Sequence, residues 1–342
     1  MSVRGGSLRC HAYFPQRRFA RNPRANAACF IMVRPFRCVL VAIADAHAVS
    51  RTALTAAAAL ARSSGAQIEL FHAAKSGAGE AALRRVRTSL ERAARSSALR
   101  GCRVRTLAVA QAPASGAIVH RALAIRADLV VAATRTRARG RRLLQPRTDR
   151  ELIRHCPCPL LVVRTARTLR GRAVLVAIDP FHAHAKPARL DALLLATGRR
   201  LGALLGGAVH AFHAYMPLVA SVQGPLGEPI VWEDPRIEDT HAAQVRHALD
   251  RLAERAGIAR ANRHLALGDV PTQLPVAVRR LGVGIVVLGA VSRTGLKRLL
   301  IGSTAQRVLD RLPCDLLVVK PHGLTAAVRA STARAASARG RR

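Results

Sequence analysis

Short apolar runs alternate with longer amphipathic stretches along most of the chain. Residues 38–43 and 173–178 are unbroken apolar runs. They lack the alternation of a half-exposed strand, so they predict strands covered on both faces. An Ala/Leu-rich helix is predicted after each, over 50–63 and 187–205. The same succession then runs twice. Strands are predicted at 67–72 and 208–215, helices at 81–98 and 239–256, and strands at 103–109 and 261–267. Helices at 114–126 and 272–281 lead to strands at 128–132 and 284–288. A last helix runs to 154 or 310, and the closing strands are 159–163 and 315–319. The stretch 219–235, with Gly224, Pro225, Gly227 and Trp232, reads as a long loop, a lid or a partner surface. Strands alternating with helices predict a parallel, doubly wound sheet with right-handed crossovers.

The succession is a true repeat. Residues 287–319, VLGAVSRTGLKRLLIGSTAQRVLDRLPCDLLVV, align without a gap on residues 131–163, VAATRTRARGRRLLQPRTDRELIRHCPCPLLVV. Thr304 falls on Thr148, and Pro313-Cys314 on Pro157-Cys158. The predicted fold class is therefore α/β, with two tandem Rossmann-like domains, each a five-stranded parallel doubly wound sheet. The domains span 33–166 and 172–321. They are flanked by a basic leader, 1–32, and an Ala/Arg tail, 322–342, both expected to be disordered. An alternative start at Met32 would make the leader a mis-assigned extension.

In such sheets a ligand lies beyond the carboxyl ends of the strands, where the strand order reverses. Two segments of the second half reach that place: Asp179-Pro-Phe-His-Ala-His after its first strand, and residues 289–304 after its fourth. Gly289 permits a tight exit from the strand. Gly302, Ser303 and Thr304 open the last helix, where free N–H groups and the helix dipole favour a phosphate. The plainer reading of Ser303 or Thr304 is an ordinary N-cap.

This segment resembles the nucleotide loop of the universal stress protein family, G-x2-G-x9-G-[ST]. Gly289, Gly302 and Ser303 match at the family's spacing, and Ser292 stands where the middle glycine belongs. The tandem arrangement is similar to the family's E-type, two-domain branch. The resemblance implies the HUP type of Rossmann-like fold, an ATP site in the C-terminal half, and Asp179 at its adenosine end. It further implies a cytoplasmic, non-enzymatic stress-tolerance factor. It also implies pairing through the closing strands, either within the chain as a pseudo-dimer or between two copies. The first half departs from the motif: Ala133, Thr136 and Pro146-Arg147 replace Gly289, Ser292 and Gly302-Ser303, and Ala44 replaces Asp179. That half is expected to bind no nucleotide.

Charge adds a rival. The chain has 342 residues and a formal net charge of +37. Removing the 11 arginines of the two acid-free ends leaves +26. Such a field attracts nucleic acid or lipid head groups without selectivity, so the scaffold would serve an anionic ligand other than nucleotide, or a protein partner. Against nucleic acid, aromatics are 3% and no binding motif accompanies the charge. Arg293, Lys297 and Arg298 would neutralise a triphosphate or coat a surface. The 7 cysteines show no disulfide framework, and Cys156-Pro-Cys158 is a poor zinc chelate. His182, His184, His210 and His213 lack a closing ligand and read as polar cleft walls. No nucleophile–base constellation, carboxylate pair for a metal or membrane span is evident.

Overall fold

The computed structural model describes residues 36–133, 135–136, 142–143, 148–165, 168–181, 190–217, 220–223, 229–232, 235–290, 308 and 311–321. The first half comprises β1 (Cys38–Ala42), α1 (Arg51–Ser64), β2 (Gln67–Ala74), α2 (Glu80–Ala94), β3 (Arg103–Ala110), α3 (Ala114–Ala124) and β4 (Leu129–Ala133). A small ribbon of β5 (Arg135–Thr136) and β6 (Arg142–Leu143), then α4 (Thr148–His155) and β7 (Leu160–Val163), complete it. The second half comprises β8 (Ala173–Ala177), α5 (Leu190–Leu205), β9 (Val209–Tyr215), β10 (Ala220–Gln223), β11 (Pro229–Trp232) and α6 (Pro235–Arg255). It ends with β12 (Arg263–Leu267), α7 (Val270–Arg280), β13 (Val283–Gly289) and β14 (Asp315–Val319).

The apolar runs become strands buried on both faces, as their lack of alternation requires. Val39 and Val41 face one core layer, with α1, α2, α5 and α6; Leu40 and Ala42 face the other, with α3, α4 and α7. Each half orders its strands as a doubly wound unit. The two units join in one ten-stranded sheet, β12-β9-β8-β13-β14-β7-β4-β1-β2-β3. Every pairing is parallel except the seam, where β14 runs antiparallel to β7 through Leu316↔Val162 and Val318↔Leu160. The repeat extends to register: Val286 pairs with Leu316 as Val130 pairs with Leu160.

The helices start and stop where local chemistry dictates. Ser50 caps α1, its hydroxyl accepting from the Ala53 N–H at 3.4 Å. Ser50→Ala is expected to cost about 1 kcal/mol in a urea-unfolding measurement. Gly65 and Gly206 both turn left-handed, at φ 69°, so α1 and α5 end alike. Counting back from them places Gly198 and Gly202 of α5 opposite Ala57 and Ala61 of α1. A Cβ on Gly198 would meet Val176 Cγ2 at 2.2 Å, and one on Gly202 would meet Val209 Cγ2 at 2.3 Å. Small residues therefore let both helices lie close on the sheet. On the other face, the buried Glu69 of β2 takes a two-pronged bond from Arg121 of α3, at 2.6 and 2.8 Å.

The segment 219–235, expected to be a loop, contains the antiparallel hairpin β10–β11, with Ala220 paired to Trp232. Helix α6 begins at Pro235, earlier than its amphipathic pattern suggests. Proline at a helix start needs no N–H partner and has φ already set, so the helix can extend into a segment without apolar periodicity.

Candidate functional site

Strands β8 and β13 are neighbours in the sheet, with Val176 opposite Val287. The chain leaves β8 through α5 towards β9, whereas β13 lies on the other flank of β8. The carboxyl ends of β8 and β13 thus bound the crevice that the topology opens.

Asp179 stands at the end of β8, partly exposed. Its backbone N–H donates to Asp191 Oδ1 at 3.2 Å, and Asp191 lies buried in the first turn of α5. The strand exit is thereby tied to the helix start, and the Asp179 carboxylate makes no hydrogen bond to another described residue. In the first half Ala44 occupies the corresponding place. Asp45, one residue on, accepts from the N–H groups of His47 and Ala48 at 2.9 and 3.3 Å and so closes its own turn.

Gly289 ends β13. A Cβ there would sit 2.8 Å from Leu190 Cδ2 and 3.3 Å from Leu194 Cδ1. The bulk of α5 is therefore one reason for a glycine at this position. The residues of α1 and its approach that correspond to Leu190 and Leu194 are the smaller Val49 and Ala53, and the first half carries Ala133 at the strand end. Ser292, Gly302, Ser303 and Thr304 lie outside the described residues, as do Arg293, Lys297, Arg298, His182, His184, Pro146 and Arg147. Of the six residues expected to form the site, Asp179 and Gly289 are placed, on adjacent strand ends.

The two described histidines of the sequence-level cluster have other partners. His213, buried at the end of β9, has Nδ1 2.9 Å from the Ile178 carbonyl oxygen. His72 makes the equivalent bond to the Ile43 oxygen at 2.8 Å in the first half. A carbonyl oxygen only accepts, so both rings carry the proton on Nδ1 and clasp the first two strands. His210 Nδ1 lies 2.9 Å from Nε2 of His264 on β12. Burial lowers the pKa of both imidazoles, and His210 with Arg280 and Arg246 helps bring His264 down to about 4. The pair is neutral at pH 7, one ring donating to the other. Among the described residues no three His, Cys, Asp or Glu side chains gather as a metal site.

Sequence reading places Phe181 only as part of the segment 179–184, and it carries no signal for Met216 and Leu267. Phe181 after β8, Met216 after β9 and Leu267 at the end of β12 are large, apolar and 51%, 61% and 51% exposed. All three mark the carboxyl edge of the consecutive strands β8, β9 and β12, the edge on which Asp179 also lies. Apolar residues at strand ends look like core in a sequence; only the fold shows them facing solvent.

A doubly wound sheet with its crevice at the ends of β8 and β13 defines a Rossmann-like protein with two such units in one chain. The family model described as "Universal stress protein family" matches residues 35–164 and again 171–320. The chain belongs to that family. It is 31% identical over 212 residues to "Universal stress protein E" of Escherichia coli K12, covering 60% of this chain and 64% of that one. The match thus spans less than two thirds of that relative's length. Among solved structures, a functionally unknown protein from Pseudomonas aeruginosa PAO1 superimposes with a TM-score of 0.67 at 24% identity, covering 87% of this chain and 98% of its own. A universal stress protein from Archaeoglobus fulgidus gives 0.56 at 13% identity, over 83% and 98%. These structural likenesses share the tandem α/β fold. No helix among the described residues is long and apolar enough to cross a membrane.

Proposed function

We propose that the C-terminal half binds an adenine nucleotide, ATP by resemblance to the family, and that the chain acts as a non-enzymatic, cytoplasmic stress-response factor whose partner contacts depend on that nucleotide. The observation that carries the reading is the placement of Asp179 and Gly289 on the ends of adjacent strands at the reversal of strand order. On the same edge of the sheet, Phe181, Met216 and Leu267 offer exposed apolar surface suited to a purine face. Gly302, Ser303 and Thr304 would meet the phosphates through backbone N–H groups and hydroxyls. Asp179 would take the ribose hydroxyls. The first half, with Ala44, Ala133 and Pro146-Arg147 in these places, would bind none.

Native mass spectrometry and calorimetric ATP titration of the full chain test this. One nucleotide per chain is expected. Asp179→Ala should weaken binding by about tenfold or more, the loss of a bond to a charged acceptor. Gly302→Leu should abolish it, and Pro146→Ala should leave it unchanged. The absence of bound nucleotide, with no heat at millimolar ATP, would sink the proposal.

The net charge of +37 supports a second reading, an ATP-independent scaffold for another anionic ligand. Salt separates the two. A complex held by counterion release loses affinity steeply and linearly on a logarithmic salt scale, whereas a nucleotide held in the crevice should respond weakly.

A further inference from the structure

The Cys-Pro-Cys motif meets Lys320 at the seam between the halves. Cys156 follows α4, its N–H donating to Leu152 O at 2.8 Å, and the chain bends at Pro157 and Cys158. Two residues beyond the pair Val318↔Leu160, the antiparallel register sets Lys320 against Cys158. The sulfurs lie 3.9 Å apart, and Lys320 Nζ donates to the Cys156 carbonyl at 2.7 Å. All three side chains are buried, with relative exposures of 0%, 8% and 6% for Cys156, Cys158 and Lys320.

A buried ammonium is costly unless a negative group answers it. The ionisable groups that act on Lys320 are the two thiols. Burial raises the pKa of Cys156, but the Cys158 S–H and the ammonium overcome it and leave the group lowered. Cys158 is raised well above its ordinary value, first by its bond to Cys156 and then by burial. Ionising Cys156 would set a thiolate against the Lys320 ammonium, with the Cys158 S–H as its donor at a sulfur separation of 3.9 Å, and the cluster would then carry no net charge.

We propose that Cys156 and Cys158 form a two-coordinate site for a monovalent soft cation, with Cu(I) the probe, and that Lys320 is its counter-charge. From that ionised cluster binding expels one proton: thiolate, thiol and Cu(I) become a bis-thiolate complex of charge −1 and a free H⁺. The complex and the ammonium again sum to zero, so a monovalent ion enters without adding buried charge. A divalent ion in the same place would leave one positive charge uncompensated. Soft thiolate sulfur suits Cu(I) and Zn(II) alike, so the charge balance is what selects the monovalent ion. With metal–sulfur bonds of about 2.3 Å, sulfurs 3.9 Å apart give a bent site. A linear site needs a separation of about 4.6 Å on the same bond length, an opening of about 0.7 Å. His155, next in sequence, has 54% of its side chain exposed, so the chain meets solvent one residue before Cys156.

The test uses the full reduced chain without oxygen, titrated with Cu(I) against a competing chelator. One tightly held Cu(I) is expected, with X-ray absorption showing sulfur donors only. In the wild-type chain, Cu(I) should protect Cys156 and Cys158 from alkylation on unfolding, and leave Cys38, Cys102 and Cys314 reactive. Cys156→Ser and Cys158→Ser should each weaken binding at least a hundredfold, and Lys320→Met about tenfold with unchanged stoichiometry. Cys102→Ser should have no effect. Protection at other cysteines, nitrogen or oxygen donors, or equal occupancy by Zn(II) at equal free concentration would overturn the proposal. The wild-type footprint decides even where a variant fails to fold.

Discussion

Gly207→Ala is expected to lower the free energy of unfolding by about 3 kcal/mol, at the upper end of the cost of overpacking. The cause lies in backbone rather than side chains. A Cβ on Gly207 would fall 1.9 Å from the carbonyl oxygen of Arg172 and 2.6 Å from its carbon. Neither atom can rotate away. Arg172 belongs to the short connection between the halves, held by Gly171 N–H donating to Leu205 O at 2.7 Å. To admit a methyl group, that connection must move off the end of α5 or the start of β9 must shift. The corresponding residue of the first half is Ala66, which is buried in place. The chain entering β8 accounts for the difference. Its neighbour Gly206 makes the control, because there the demand is conformational. At φ 69° with open space around its Cβ position, Gly206→Ala should cost about 1 kcal/mol, the ordinary price of a left-handed backbone for a residue with a side chain. Urea unfolding of both variants, with the slope unchanged, measures the contrast. Similar losses for the two would show that the approach of Arg172 to Gly207 is not a tight constraint on the fold.

That contrast also shows where sequence reasoning stops. The strands were legible because parallel strands buried on both faces must be apolar throughout, and the gapless 156-residue offset between 131–163 and 287–319 fixed the equivalent closing elements of the two halves. The left-handed glycines were not distinguishable from Gly198, Gly202 and Gly207, which are small because another atom stands where a Cβ would be. Gly289 shows the same ambiguity in the site. It matches the family's loop motif, and Leu190 independently requires it to be small. Asp179 was legible through its place after the first strand of the second half, and the structure sets it beside Gly289. Phe181, Met216 and Leu267 were not, since their exposure is a property of the strand ends. The hairpin β10–β11 is hidden in the sequence because Gly224, Pro225 and Gly227 dominate the reading of a short apolar pair. The roles of His72 and His213 escaped because each depends on a carbonyl some 30 residues away, which only the parallel pairing of the first two strands brings near.

The other large effect is a pH dependence at the seam. Burial draws the pKa of Lys320 from its ordinary 10.5 down to about 8. Between those values the unfolded chain holds a proton that the folded chain has released. Stability contributed by this group therefore rises with pH from about 8 to 10.5 and is lost as pH falls back through the folded value. The difference corresponds to about 3 kcal/mol across the window. Lys320→Met removes the ammonium and keeps an unbranched chain in its place. At pH 7 the variant should be more stable than the wild type by about 1–2 kcal/mol, the relieved burial of charge less one lost hydrogen bond to the Cys156 carbonyl. The advantage should shrink as pH rises above 8, cross zero near pH 9 and reverse to a deficit of about 1–2 kcal/mol by pH 10.5. Buried thiols act in the opposite sense above pH 9, since burial, then Asp315, push Cys314 up to about 12, and its stabilisation fades as pH climbs towards that value. For this reason the informative quantity is the difference between variant and wild type in urea melts at matched pH, where the contribution of Cys314 cancels and what remains belongs to Lys320 together with the two thiols it acts on. A difference that stays constant from pH 7 to 10.5 would mean that Lys320 titrates in the folded chain as it does in water, and that its ammonium is not held in an apolar seam.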